Sequence, residues 1–279
     1  MSRSLKEIVE LSLDYILKKG GRPRHEVEEW IAHTLGMRRL DLYLQFDRPV
    51  ESDELDQLRA GVSRLAEGEP LAYICGKAPF YGYEFIVSPE VLIPRPETEL
   101  LVDTLVPFLE KSSGTFVDVC TGSGCIGLTV KKKFPEWKVV LTDISKSALK
   151  VAKKNAEQLC VDVEILHGDL LSSFLPQKAE CIVCNPPYLS KGEWEELEKS
   201  VQDFEPRGAL EAGPSGVEMY ERLLPQMKEV LVPKGLGVFE IGALQRDRVV
   251  QLVKGRGFDN IECIQDLSGL DRIVSFEQN

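Results

Sequence analysis

Over roughly the first seventy residues, apolar positions recur at helical spacing. From Leu5 they fall at Ile8, Val9, Leu13, Ile16 and Leu17; Ser4 with Glu7 fits a capping box, and "KKGG" supplies a stop. A second helix fits "RHEVEEWIAHTLG", with Val27, Trp30, Ile31 and Leu35 on one side. A third starts near Ser52 and carries Leu55, Leu58, Val62 and Leu65 as far as Gly68. No strand pattern interrupts them, so the segment predicts a small helical bundle. In "AYICGKAPFYGYEFIVSPEVLIPRP" aromatics alternate with glycine, which predicts a short hairpin or extended linker. Beyond it the strand-like runs "TFVDVC", "WKVVLTD", "VEIL", "ECIVC", "LGVFEIG" and "DRIVSF" alternate with helix-like stretches, the pattern of a parallel α/β sheet covered by helices. The expected division is a helical domain over 1–72, a hairpin or linker over 73–95 and an α/β domain over 96–279.

Charge narrows the candidate chemistry. A formal net charge of -11 disfavours a nonspecific grip on nucleic acid or anionic membrane, which needs clustered Lys and Arg. No apolar run approaches the roughly 20 residues of a membrane span, and charges interrupt any leader-like core in "MSRSLKEIVELSL". The cytoplasm is the expected location. Seven cysteines, several inside apolar runs, read as reduced and mostly buried thiols. Cys181 and Cys184 form a C-x-x-C, but no second ligand pair accompanies them and His25, His33 and His167 have no metal spacing. They read as strand cysteines in the core, and no metal is expected.

The first α/β strand leads into "VDVCTGSGCIGLTV", where Gly122, Gly124 and Gly127 form G-x-G-x-x-G. Glycines there let the backbone turn tightly and approach a nucleotide closely. Asp143 ends the next strand about 20 residues on, where a carboxylate accepts from both ribose hydroxyls. Asp118, at the end of the first strand, would repel a dinucleotide's pyrophosphate. It would attract S-adenosylmethionine, whose sulfonium and ammonium outweigh its one carboxylate. The third strand ends in "ILHGDLL": Asp169 is placed to accept from the adenine amino group and Leu170 to pack on the ring, although an aspartate there also serves as a helix cap.

The fourth strand ends in "NPPY", opposite the methyl group if the first three strands bind the donor. An amide or exocyclic amino nitrogen is hard to methylate because its lone pair is delocalised. The site must hold that nitrogen in line and accept its hydrogens as positive charge develops. The Asn185 carbonyl is such an acceptor. Proline after it fixes the chain so that backbone carbonyls point inward, and Tyr188 is placed to stack on a flat amide or base.

At these residues the chain resembles the N5-glutamine methyltransferases of peptide chain release factors, the HemK or PrmC family. The resemblance runs nearly end to end through "GEPLAYICGKAPFYGYEF", "VLIPRPETELLV", "FVDVCTGSGCIGL", "LTDIS", "NPPYLS", "FEPRGAL" and "EIG". "NPPY" alone is shared with adenine-N6 methyltransferases, whereas "LIPRPETE" is far more particular to the glutamine enzymes. The resemblance implies a Rossmann-like methyltransferase domain behind a small helical bundle that helps dock the release factor. The implied reaction methylates the glutamine of the Gly-Gly-Gln loop and leaves S-adenosylhomocysteine. Carried over, Asn185 and the backbone of Pro186 would accept the amide hydrogens, and Pro187 and Tyr188 would line the glutamine slot. Cys120, Thr121, Gly122, Ser123, Gly124 and Asp143 would hold the donor, with Asp118, Asp169, Leu170 and Asn185 beside it. Cys120 stands where glycine is common; a cysteine is small enough to fit, with crowding at worst. In "FEPRGALEAGPSG", Glu205 and Arg207 either shape the slot's rim or form a solvated pair.

Three rivals remain at this point. An adenine-N6 nucleic-acid methyltransferase would use the same acceptor cup, but should show a basic groove and a target-recognition region. A dinucleotide dehydrogenase would use the glycine loop, against the placement of Asp118. A noncatalytic donor-binding module would have no use for an intact "NPPY". No membrane or nucleic-acid partner is expected.

Overall fold

The computed structural model describes residues 3–279. The chain divides into two compact units, Met1–Lys77 with Glu198–Phe204 and Ala78–Leu197 with Glu205–Asn279. This division differs from the one expected from the sequence in giving residues 78–95 of the hairpin segment to the larger unit, and residues 73–77 with a short later segment to the smaller one.

The smaller unit opens with α1 (Leu5–Leu17), capped as the sequence predicts: the Ser4 hydroxyl accepts from the Glu7 amide, and the Glu7 carboxylate accepts from the Ser4 amide. Helices α2 (Arg24–Thr34), α3 (Ser52–Ala66) and α4 (Leu71–Cys75) follow, with a 3-10 turn over Arg39–Leu44. Leu5, Ile8, Val27, Ile31, Leu58 and Leu65 form the core, whereas Leu17, at the helix end, is 74% exposed. The Trp30 indole donates to the Leu58 carbonyl at 3.1 Å and lies where only glycine fits: a Cβ on Gly61 would stand 2.0 Å from the ring.

In the larger unit, β1 (Lys77–Phe80) and β2 (Tyr83–Ile86) form the expected hairpin. Its two-residue turn places Tyr81 at φ 51° and Gly82 at φ 78°, the paired left-handed conformations that match strand twist. After a 3-10 turn over Pro96–Thr98, the chain runs through α5 (Glu99–Leu109), β3 (Thr115–Val119), α6 (Cys125–Lys133), β4 (Lys138–Asp143), α7 (Lys146–Leu159), β5 (Glu164–His167) and β6 (Ala179–Cys184). It continues through β7 (Leu189–Ser190) and α8 (Lys191–Glu196); α9 (Lys199–Phe204) belongs to the smaller unit. Then come β8 (Glu211–Gly213), α10 (Glu218–Val230), β9 (Leu231–Glu240), α11 (Arg246–Gly255), β10 (Phe258–Gln265) and β11 (Asp271–Gln278).

Seven strands form one sheet in the order β10-β11-β9-β6-β3-β4-β5. The five from β9 to β5 run parallel, and β11 is antiparallel to both of its neighbours. Both faces are covered. Phe116, Leu141, Cys181 and Val183 pack under α5 and α6, while Val117, Val119, Ile182 and Cys184 pack under α10 and α11. Strands buried on both sides have no polar face, so they read as continuous apolar runs. Cys181 and Cys184, three residues apart on one strand, therefore point to opposite faces of the sheet, and both are fully buried.

Candidate active site

β3, β4 and β6 end side by side at the carboxyl edge of the sheet, where the chain runs outward from β3 through β4 to β5 and then crosses back to β6 on the other side of β3. That reversal opens a crevice. The glycine loop after β3 is tied down from three sides. The Thr121 amide donates to the Thr142 carbonyl at 3.0 Å, and the Gly122 amide to Asp143 Oδ2 at 2.9 Å. The buried Asn155 amide donates to the Ser123 carbonyl at 2.8 Å while exchanging hydrogen bonds with the Ile86 backbone on β2. Gly124 adopts φ 82° at the start of α6. Gly127 lets that helix settle on the sheet, since a Cβ there would lie 2.3 Å from Leu141.

Asp118 lies behind this loop, with no exposed surface. Its Oδ2 accepts from the Thr121 hydroxyl at 2.6 Å and from the Gly127 amide at 2.9 Å, and its Oδ1 has no partner. Burial, with the Asp143 charge adding, pushes its carboxyl up to about 7 against those two hydrogen bonds. Asp118, expected beside the donor as an attracting charge, is off the cavity wall and fastens the loop from within.

In front of the loop is a cavity of about 410 Å³, in the size range of small-molecule sites. Cys120, Thr121, Gly122, Ser123, Asp143, Asp169, Leu170, Asn185 and Pro187 all stand on its wall. Asp143 is held by the Gly122 amide and, through Oδ1, by the Ser145 amide at 2.8 Å; burial raises its carboxyl above the usual range despite both. Asp169 is ion-paired with Arg222, a wall residue the sequence reading did not single out. Cys120 sits at φ 58°, which gives the physical reason for a glycine preference: the constraint is backbone conformation rather than side-chain size.

The far wall is built by "LIPRPETE". Leu92, Pro94, Arg95 and Thr98 line it, and Arg95 pairs with the buried Glu205, whose other oxygen accepts from the Ile93 amide at 3.3 Å. Glu205 thus fastens "FEPRGAL" to "LIPRPETE". Arg207 turns elsewhere, to Glu211 and over the Trp194 ring, so of the two readings of Glu205 and Arg207 the solvated pair does not form. The alternation of aromatics with glycine marks the upstream segment as a hairpin or linker, and its motif was the one sign of a place at the site.

Asn185 Nδ2 donates to the Thr98 hydroxyl oxygen at 3.3 Å. Behind the pair lies Glu240, 3% exposed, with its Oε2 unpartnered. Burial raises its carboxyl to about 7, opposed by Thr98, Arg272 and Asn185 and reinforced by Glu97. Tyr188 differs from the expectation: it packs half-buried against the core beneath α10 and is absent from the cavity wall, and burial holds its phenol well above its usual range. Its carbonyl accepts from Gln245 Nε2 at 2.6 Å, and the same nitrogen bonds the Gly216 carbonyl. Pro186 is buried in the loop between the two.

The wall carries the carboxylates Glu90, Asp143, Asp169 and Glu211 against Arg95 and Arg222, each of which already has a carboxylate partner. Such a wall favours a cationic ligand over a phosphate-bearing one. Residues 96–231 match the methyltransferase small domain, and residues 15–76 match the PrmC N-terminal domain. The chain is 34% identical to a release factor glutamine methyltransferase of Geobacter sulfurreducens over 97% of its own length and 95% of the relative's. A second such protein, from Koribacter versatilis, is 39% identical over 90% of each. The chain belongs to the family of release factor glutamine methyltransferases. The sheet and helices that this family uses also occur in a methyltransferase from Pyrococcus furiosus, which shares 17% of its sequence with this chain. That structure superposes with a TM-score of 0.55 over 78% of this chain and 97% of its own.

Proposed function

We propose that this protein transfers a methyl group from S-adenosylmethionine to the side-chain amide nitrogen of glutamine in the Gly-Gly-Gln loop of a peptide chain release factor. The observation that carries the reading is the placing of Asn185 and Pro187 on the wall of the same cavity as Asp143 and the glycine loop. Asp143 would accept from the ribose hydroxyls, the backbone of Cys120–Gly124 would follow the donor's chain, and Leu170 would pack on the base with Asp169 beside it. The donor, when bound, supplies a methyl group on a positively charged sulfur, which the acidic wall suits.

The protein's part is to hold the acceptor. Asn185 Oδ1 and the Pro186 carbonyl accept the two amide hydrogens, which concentrates the lone pair on nitrogen and stabilises the positive charge that develops there. The nitrogen becomes acidic on transfer and releases a proton without a strong general base. Pro187 walls the slot, and Tyr188 serves by anchoring the loop through its carbonyl rather than by stacking. The helical unit docks the release factor, and the reaction takes place in the cytoplasm. Membership of the release factor glutamine methyltransferase family supports both statements. No helix among the described residues is long and apolar enough to cross a membrane.

The test is labelling with radioactive methyl donor of a release factor and of the same factor carrying Gln→Ala in its Gly-Gly-Gln loop. Label on the first alone is expected. Equal labelling of both, or labelling of DNA alone, overturns the reading.

A further inference from the structure

A carboxyl group sealed behind the acceptor asparagine is costly to keep, and packing does not require one, since a leucine would fill similar space. We propose that Glu240 is a positioning residue that fixes which end of the Asn185 amide faces the substrate. The inference rests on the proposed reaction and assigns to Glu240 a role beyond it.

An asparagine amide has an accepting end and a donating end of nearly equal size, and only the accepting end suits a nitrogen that is losing its hydrogens. Asn185 Nδ2 donates to the Thr98 oxygen. That leaves the single Thr98 proton to point onward, and Glu240 faces both groups from its buried position. An ionised carboxylate can only accept, so it draws the Thr98 proton and the Asn185 NH₂ inward and leaves Oδ1 toward the cavity. A protonated carboxyl reverses the chain. Its hydrogen goes to Thr98, the Thr98 proton is free to go to Asn185 Oδ1, and the amide turns its NH₂ outward as a donor where an acceptor is needed. Tyr220 does not compete for the carboxylate, since its hydroxyl donates to the Glu240 backbone carbonyl at 2.8 Å.

The other titratable groups acting on Glu240 are Glu97 and Arg272, with Tyr188, Tyr220 and Cys125 acting from neighbouring elements. Arg272 is engaged with Asp266 at 2.9 Å. Burial places the carboxyl's titration near pH 7, where Asp118 also titrates. Transfer should therefore strengthen with rising pH through this range, and substitution at 240 separates the two carboxyls.

The experiment measures kcat and the KM for the methyl donor from pH 6 to 8.5, with a release factor as acceptor, for wild type, Glu240→Gln, Glu240→Asp and Thr98→Val. In wild type kcat should fall about tenfold per pH unit below the titration. Glu240→Gln, whose amide can face either way, should lose at least tenfold in kcat at pH 8 with the donor KM within about twofold, and its profile should be flat. Glu240→Asp should keep the pH dependence. Thr98→Val, which removes the linking hydroxyl, should reproduce the loss even if a change at 240 prevents folding. Wild-type kcat and pH profile in both Glu240→Gln and Thr98→Val, or parallel loss of kcat and donor binding, overturns the proposal. Wild-type protein that labels no glutamine overturns the reaction itself, a separate result.

Discussion

Cys120 illustrates what a single position can conceal. The sequence shows a small side chain in place of glycine and invites an argument about size, yet the strain resides in φ 58°. Left-handed backbone costs a residue with a Cβ roughly 1–2 kcal/mol. Cys120→Gly regains part of that and gives part back through a freer unfolded chain, so a net stabilisation of about 1 kcal/mol is expected in urea unfolding. The places of Asp143 and Cys120 to Ser123 on the cavity wall were legible because they follow from strand ends and turn geometry. Glu240, Thr98, Arg95 and Arg222 were not, because each matters through a partner far away in the chain, and no local pattern marks such a pairing. For Tyr188 and Asp118 the positions were legible but not their burial away from the cavity wall, since a sequence does not mark which side of a loop a side chain occupies.

Among the elements, the parallel strands were the easiest to recognise, because burial on both faces leaves them apolar throughout. β10 escaped notice: it is the antiparallel edge strand, and in "FDNIECIQ" only Phe258 is buried. Most of α4 was read into the hairpin or linker because aromatics alternate with glycine from Ala72 onward; the Pro70 start and the Gly76 end, at φ 70°, fix it as a helical turn instead. One close fit between elements is α6 on the sheet at Gly127. Gly127→Val would press a side chain into Leu141 and the Asp118 carboxylate. Overpacking of this kind costs about 1–3 kcal/mol. Because α6 and the glycine loop share Asp118, the same variant should also weaken binding of the methyl donor. Urea unfolding and equilibrium dialysis would check the two effects together.

At the scale of the whole molecule, buried acids shape the response to pH. An unfolded Asp titrates near 3.9, whereas Asp118 in the fold holds its proton up to about 7. Its favourable contribution is thus complete below about pH 4 and is lost as pH rises through 7, and Glu240 acts in the same direction. Between pH 5 and pH 8 Asp118 alone should cost on the order of 3 kcal/mol, two pKa units of differential ionisation at ~1.4 kcal/mol each. Asp118→Asn should remove that portion of the slope in denaturant midpoints measured across the range. The two-unit organisation was visible as a change from helical to alternating pattern. The return of residues 198–204 to the smaller unit was not, because a six-residue helix carries too little periodicity to announce its partner. The pairing of Arg95 with Glu205 joins residues 110 positions apart. At roughly 5–20 residues per second on the ribosome, the first waits some 5–20 seconds for the second to be made. A nascent chain halted in that interval has its glycine loop already synthesised beside an unfinished wall, so ribosome stalling before Glu205 yields fragments that lack one side of the cavity.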